Sequence, residues 1–220
     1  MLTKFNIFYC NDNWRLFSLK KDSIYRNPTK VFVEGDASSA SYFFAAASLA
    51  GSIEIKGINK DSIQGDLKFL DIISKMGAKI EYKSDSIQVS KASNLKGLEI
   101  DCIEIPDAAM TLAIMAVFAD KPTTLKNIGS WRVKETDRIL AMDNELSKMG
   151  VEVSTTHDSM TIFPQKLLND NISIETYNDH RIAMCFSLFC LKNLNITIQD
   201  PNCVNKTYPD YFKDLKSVIE

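Results

Sequence analysis

Seven charged or titratable side chains have the residue types that bind small anions and transfer protons. Four of them are cations: Lys134, Arg138, Arg181 and Lys206. The other three can act as acids or bases: Asp107, Glu135 and His180. Guanidinium groups bind carboxylates and phosphates through paired hydrogen bonds, and carboxylates and imidazoles donate or accept protons. If these side chains converge in space, they predict a site for a small substrate with several negative charges.

The segment SWRVKETDRIL places two of these cations where a helix would be destabilised by them. Lys134 and Arg138 stand four residues apart near the predicted start of a helix, so we expect them on one helix face. Like charges at this spacing, and cations at a helix N-terminus, each cost about 0.2–1 kcal/mol. A solvated face on which Glu135 and Asp137 neutralise the cations would also account for the pattern.

The segment TYNDHRIAM repeats this conflict between charge and helix stability. His180 and Arg181 directly follow Asp179, a predicted helix cap, at positions where acidic residues are favoured. An arginine there suits the binding of a carboxylate or phosphate better than it suits the helix. Lys206 lies in a proline-bounded loop, and a plain surface lysine is the alternative interpretation.

A threefold internal repeat supplies the elements that would position these residues. Three segments each begin with an aspartate, and the spacings between the aspartates Asp36, Asp107 and Asp179 are 71 and 72 residues. An apolar, alanine-rich run of helix length and a short β-like segment follow each aspartate. The aspartates are therefore predicted helix caps, and helices that share an orientation would bring their N-termini, which favour anions, to a common region.

The first two copies share a second block, in which a helix ends at a glycine and two alternating strands follow. The unit therefore predicts βαβαββ, with Gly77 and Gly150 after the second helices, while the third copy is shortened to one helix, one strand and a closing segment. We predict an α+β fold with inward-packed helices and these boundaries: repeats at about 33–98, 99–167 and 168–220, preceded by strands of another domain at 1–32.

Composition excludes several classes of function. With a net charge of −2, the chain lacks the overall positive potential that would attract nucleic acid or an anionic membrane. Five cysteines without a CxxC pair indicate reduced thiols of a cytoplasmic protein, with neither a disulfide framework nor a metal site. The longest apolar runs reach about half the length of a membrane span. The start is too polar for a signal peptide, and the sequence contains neither GxGxxG nor GxxxxGK, which argues against a nucleotide site.

Five motifs in order, GDASSASYF, PDAAMT, WRVKETDR, YNDHRIAM and KTYPDYF, resemble the C-terminal half of the EPSP synthase family. The resemblance runs from about Val33 to the end, and residues 1–32 resemble the tail of the family's other domain. It implies one of two globes, each built of three βαβαββ copies with parallel helices packed inward, and substrates bound between the globes. Family members are roughly twice this length, so the resemblance implies that this half alone is inactive.

The resemblance also implies the reaction: transfer of the enolpyruvyl group of phosphoenolpyruvate to the 5-hydroxyl of shikimate 3-phosphate, with release of phosphate and without a cofactor. Asp107 would contact the shikimate hydroxyl and act as its general base. Glu135 would exchange a proton with the phosphoenolpyruvate methylene. Because cations flank Glu135, they favour its ionised form, whereas the addition step needs its protonated form.

The remaining motif residues would bind the two substrates. The resemblance implies that Arg138, Arg181 and Lys206 bind the carboxylate and phosphate of phosphoenolpyruvate, with His180 beside them. Lys134 would line the side of the shikimate phosphate. Family members often have Asn where this chain has Ser130, whose hydroxyl has a shorter reach.

Two other interpretations are open, and the second belongs to a different class of protein. A UDP-N-acetylglucosamine enolpyruvyltransferase would share the fold and the phosphoenolpyruvate chemistry, but the pairing of WRVKETDR with NDHRIAM argues against it. A non-catalytic repeat module or a nucleic-acid 3′-phosphate cyclase would use a related repeat, and the cyclase should have a more basic surface. The resemblance further implies a monomer for the full-length enzyme.

Overall fold

The computed structural model describes residues 1–219, and the chain divides into two compact units, Met1–Glu34 and Gly35–Glu220. The first unit contains a 3-10 helix at Leu2–Phe5 and an antiparallel hairpin of strands β1 (Tyr9–Asp12) and β2 (Leu16–Leu19). Every residue of both strands is exposed, and a lone hairpin of this size is marginally stable in water. That residues 1–32 complete another domain stays a prediction.

The second unit mixes helices and short strands, as the α+β prediction requires. Its helices are α1 (Ala37–Ala50), α2 (Phe69–Met76), α3 (Ala109–Ala116), α4 (Arg138–Lys148), α5 (His180–Ser187) and α6 (Tyr211–Ile219). Its strands are β3 (Ser52–Lys56), β4 (Lys79–Tyr82), β5 (Ser86–Ser90), β6 (Glu99–Asp101), β7 (Thr123–Lys126), β8 (Val153–Thr155), β9 (Met160–Ile162), β10 (Ile172–Ile174) and β11 (Ile196–Ile198). Short 3-10 helices lie at Gly65–Lys68, Gly129–Val133, Leu188–Lys192 and Pro201–Lys206.

The repeat is visible in three separate sheets. The first copy forms a sheet in the order β3-β5-β4, the second a sheet in the order β6-β7-β9-β8, and the third pairs β10 with β11 in parallel. Only the second copy has all six elements of βαβαββ. The first copy lacks a strand before α1 in the described residues, and the third has a strand before α5 and ends in helix α6. The third copy is thus more complete than its sequence predicted.

Helices α1, α3 and α5 pack together in the core. Nearly every residue of α1 and α3 is buried, so these helices are apolar on all sides, as core helices are. The Ser41 hydroxyl lies 3.1 Å from that of Thr111, which lies 3.7 Å from the Cys185 sulfur. These contacts join Ser41 and Thr111, in the first half of α1 and α3, to Cys185 in the second half of α5, so the three helices lie against one another. No helix in residues 1–219 is both long and apolar enough to cross a bilayer.

Aspartate caps and glycine ends follow the sequence prediction with one exception. Asp36 accepts a hydrogen bond from the Ser39 amide at 2.9 Å, and Asp179 accepts one from the Arg181 amide at 2.9 Å. Helix α3 differs, because Ala108 precedes it and the side chain of Asp107 binds cations instead. The prediction that Asp107 caps its helix is therefore wrong. Glycines after α2 and α4 have left-handed backbone angles, as expected where helices end.

Candidate active site

The guanidinium group of Arg138 is the centre of the candidate site. The residue is only 1% exposed and begins α4, whose N-cap is Asp137. Its Nε donates to Asp179 Oδ2 at 2.7 Å and its Nη1 donates to Asp107 Oδ1 at 3.0 Å. Its Nη2 donates to Glu135 Oε2 at 2.6 Å. One buried arginine thus joins carboxylates from the second and third repeats.

The prediction that Lys134 and Arg138 share a helix face is wrong. Because Asp137 caps the helix, α4 begins only at Arg138, and Lys134 lies just after the 3-10 helix Gly129–Val133. The repulsion between Lys134 and Arg138 that is expected one helical turn apart therefore does not destabilise α4. Lys134 still reaches the cluster, since its Nζ lies 3.7 Å from Asp107 Oδ1.

The carboxylate of Asp107 bridges the two arginines. Arg181 Nη2 donates to Asp107 Oδ2 at 3.0 Å, and its Nη1 donates to the Tyr42 hydroxyl at 3.3 Å. Burial alone would raise the pKa of the Asp107 carboxyl, but the positive charges of Arg181, Lys134 and Arg138 outweigh it and hold the pKa below its ordinary value. Asp107 is therefore ionised in this chain at neutral pH.

Glu135 joins Arg138 to Lys206. The Lys206 ammonium, at the end of the 3-10 helix Pro201–Lys206, donates to Glu135 Oε1, and Arg138 binds the other oxygen. Burial acts to raise the pKa of Glu135, but the hydrogen bond from Lys206 and the charge of Arg138 lower it to about 2. The cations thus stabilise the ionised form of Glu135, as the sequence predicts, whereas a proton donor at this position must carry a proton.

His180 lies buried beside this carboxylate. Its Nδ1 is 4.0 Å from Glu135 Oε1 and 3.6 Å from Asp179 Oδ1, and within residues 1–219 neither ring nitrogen has a hydrogen-bond partner. Burial and the nearby charge of Arg181 lower the pKa of His180, so the imidazole is neutral at neutral pH. The described residues therefore leave the hydrogen-bonding capacity of both buried ring nitrogens unused.

Trp131 holds the segment that carries Lys134 and Glu135 against the segment that carries Asp107. Its buried indole Nε1 donates to the carbonyl oxygen of Pro106 at 2.6 Å. Neighbouring Ser130 is exposed, and its hydroxyl takes no part in the charge cluster of the described residues.

Seven of the eight predicted site residues therefore come together. We use the name anion cluster for the four cations and the three carboxylates that pair with them: Lys134, Arg138, Arg181, Lys206, Asp107, Glu135 and Asp179. Four cations and three carboxylates leave one net positive charge beside neutral His180. An incoming anion would therefore have to take over cations that the carboxylates now hold.

Sequence reasoning missed three participants. Asp179 was predicted only as a cap, yet its fully buried carboxylate also binds Arg138. Tyr42 lies within an apolar run that gave no signal of a polar role. Asp66 accepts a hydrogen bond from the Ser38 hydroxyl, and burial raises its pKa, as does the charge of Asp107 to a lesser extent.

Acid should destabilise the chain through Glu135. A carboxyl with a lowered pKa in the folded state adds stability above its unfolded pKa, and that stability is lost as the pH falls through the folded pKa. The unfolded pKa of Glu is about 4.3, and the folded pKa of Glu135 is about 2. We expect the free energy of unfolding, measured by urea titration, to fall across this window, and to fall less in Glu135→Gln. Equal falls in both proteins would contradict this assignment.

The amino-acid sequence of the chain is similar to those of one enzyme family. A sequence profile of the EPSP synthase family (3-phosphoshikimate 1-carboxyvinyltransferase) matches residues 1–215. The 3-phosphoshikimate 1-carboxyvinyltransferase of Aeromonas salmonicida (strain A449) is 49% identical over 220 residues, which cover 100% of this chain and 51% of that protein. The protein with that name in Haemophilus ducreyi is 48% identical over 99% of this chain and 50% of its own length. The chain thus spans about half the length of the curated relatives it matches.

Solved structures agree with this assignment of the fold. An EPSP synthase from Acinetobacter baumannii superposes with a TM-score of 0.84 at 25% identity, over 98% of this chain and 52% of that chain. The enolpyruvyl transferase NikO from Streptomyces tendae has a TM-score of 0.67 at 15% identity, over 85% of this chain and 43% of that chain, and supports the fold alone. The α+β fold predicted from the repeat and the enolpyruvyltransferase type implied by the family resemblance are both confirmed.

Proposed function

Because the chain belongs to the EPSP synthase family, we propose that it supplies the C-terminal half of the active site of a 3-phosphoshikimate 1-carboxyvinyltransferase. In this proposal the enzyme transfers the enolpyruvyl group of phosphoenolpyruvate to the 5-hydroxyl of shikimate 3-phosphate and releases phosphate. The observation that carries the proposal is the anion cluster, in which Asp107 bridges Arg138 and Arg181, and Glu135 bridges Arg138 and Lys206.

The cations of the cluster suit phosphoenolpyruvate, which carries a carboxylate and a phosphate. Arg181 and Lys206 are partly exposed, with side chains 11% and 55% accessible, and can exchange their present carboxylate partners for substrate oxygens. Arg138 is held by the buried Asp179 and would keep one face toward the substrate. Lys134 contacts the Oδ1 atom of Asp107, whereas Arg181 binds its Oδ2 atom. Lys134 would approach the shikimate phosphate, and Ser130 would also contribute to substrate binding.

The two carboxylates suit the two proton transfers of the reaction. Asp107 would accept the proton of the 5-hydroxyl as that oxygen attacks C2 of phosphoenolpyruvate, and Glu135 would protonate C3, with His180 beside it. The resulting tetrahedral intermediate then expels phosphate and returns a proton from its C3 methyl group to the Glu135 carboxylate, which forms the double bond of the enolpyruvyl product. Glu135 can carry a proton only if its pKa rises. This would require that substrate anions compete with Glu135 for Lys206 and for the Nη2 group of Arg138, and that the cleft closes to water.

The proposal includes a partner, because the relatives are twice as long as this chain. We propose that a further N-terminal half provides the opposite wall of the cleft, that the joined halves act as one monomer without a cofactor, and that nucleic acid is not bound. A cytoplasmic location is in keeping with five free cysteines.

A chimera tests the proposal. This chain would replace the aligned half of the Aeromonas salmonicida relative, so that the two halves remain covalently joined. We expect phosphate release from phosphoenolpyruvate that depends on shikimate 3-phosphate, and no turnover by the 220-residue chain alone. Release that depends on UDP-N-acetylglucosamine instead would favour the alternative transferase, and a folded chimera without either activity would contradict the proposal.

A further inference from the structure

Glu145 is a buried carboxylate outside the anion cluster, and it binds the segment that leads into α5. It lies on α4, two turns after Arg138, and its side chain is 0% exposed. Its Oε2 accepts hydrogen bonds from the Glu175 amide at 3.1 Å and the Lys148 ammonium at 2.7 Å. Its Oε1 accepts a hydrogen bond from the Tyr177 hydroxyl at 2.7 Å. Two of these three donors belong to the short segment of residues 175–178, which we call the strap.

The strap has a backbone that needs outside support. Tyr177 and Asn178 have φ angles of 53° and 55°, so two consecutive non-glycine residues are left-handed. Such residues cost on the order of 1–3 kcal/mol each and persist only where the surroundings hold them. Asparagine tolerates this conformation better than tyrosine does. The hydrogen bond from Tyr177 to Glu145 therefore holds the more strained of the two residues.

The strap ends at the residues that form the site. Asp179 follows it directly, caps α5 and binds Arg138, and His180 and Arg181 form the first turn of that helix. Helix α4 thus holds this part of the chain at two points, Arg138 and Glu145. Seven residues separate these points along the helix, about 10 Å. Two anchors at this distance fix the direction in which the chain enters α5.

We propose that Glu145 is a positioning residue that sets the orientation of His180 and Arg181 through the strap. The proposal rests on the proposed function for the role of those two side chains, but not for the coupling itself. In Glu145→Gln an NH2 group replaces one carboxylate oxygen, so the Glu175 amide and the Tyr177 hydroxyl can no longer both donate to this side chain, and the strap relaxes toward ordinary backbone angles. The start of α5 then turns, and the His180 imidazole becomes accessible to water.

The titration of His180, followed by NMR in the 220-residue chain, tests the coupling without any activity measurement. The chain has two histidines, and the exposed His157 can be replaced to assign the signals. In Glu145→Gln we expect the pKa of His180 to rise toward the ordinary value for histidine, because burial and the charge of Arg181 hold it down in the parent. The Glu175 amide should also exchange with solvent at least about tenfold faster.

The direction of this shift separates positioning from simple electrostatics, because removal of a carboxylate charge by itself would lower the pKa of a histidine. Two further variants complete the test. Tyr177→Phe leaves every charge in place and should raise the pKa of His180 in the same direction by a smaller amount. Glu175→Gln removes a charge from the exposed side of the strap but leaves its amide, and should not raise the pKa.

A pKa of His180 that falls or stays constant in both folded variants, Glu145→Gln and Tyr177→Phe, would overturn the proposal. If Glu145→Gln does not fold, Tyr177→Phe alone decides. In the chimera, Glu145→Gln should raise the KM for phosphoenolpyruvate more than it lowers kcat. An inactive parent chimera would count against the proposed function and would leave the NMR result valid.

Discussion

Replacing Arg138 with methionine should lower the free energy of unfolding of the 220-residue chain by about 3–5 kcal/mol. The guanidinium group is 1% exposed and binds Asp179, which is 0% exposed. Removing one partner of a buried ion pair leaves the other charge buried without compensation, which costs more than the pair contributes. Asp107 and Glu135 would also lose a hydrogen bond each. Urea denaturation at neutral pH measures the difference.

Two comparisons identify the cause of this loss. Lys206→Met removes a cation that is 55% exposed from the same cluster, and should cost less than about 1 kcal/mol. Adding Asp179→Asn to Arg138→Met removes the uncompensated charge, so the double variant should be less destabilised than the sum of the single changes. If Arg138→Met costs no more than Lys206→Met, Arg138 is not the buried centre of the cluster.

The repeat could be predicted because its signals are local. The capping residues Asp36 and Asp179 and the glycines after α2 and α4 each reflect the needs of one helix end, and such needs can be read from neighbouring residues. The number of strands could not be predicted in this way. A strand exists only where another strand pairs with it, as β10 does with β11. The partner is 24 residues away and is chosen by packing.

The candidate site was predicted through its charges, and its supporting groups were missed. Charges placed against helix stability drew attention to Arg181, and this signal does not depend on tertiary structure. Tyr42 and Glu145 gave no such signal, because a single polar residue in a helix has an ordinary structural explanation. Their partners lie 139 and about 30 residues away in sequence. The start of α4 was misplaced because a charged pair four residues apart resembles a helix whether or not the helix has begun.

Glu135→Gln should lower kcat of the active chimera by about 10²–10⁴-fold. Glutamine keeps the shape and can accept the hydrogen bond from Lys206, but it cannot transfer a proton to carbon. Loss of the proton donor therefore acts on the chemical step, and the KM for phosphoenolpyruvate should change little. The matched control is Glu152→Gln on the exposed surface, which should leave kcat unchanged. A Glu135→Gln chimera with parental kcat would exclude this role.

The pH dependence of kcat then shows how the cluster controls that proton. In the chain without substrate, Lys206 and Arg138 hold the pKa of Glu135 at about 2. With this pKa the carboxylate carries no proton at neutral pH and cannot act as a proton donor. Activity therefore requires that bound anions compete for these cations. Since Glu135 donates only when protonated, kcat should fall as the pH rises through its pKa in the complex. Lys206→Met removes one stabilising cation, so this fall should move to higher pH even as the KM for phosphoenolpyruvate increases. A move to lower pH would mean that Lys206 does not act on the proton of Glu135.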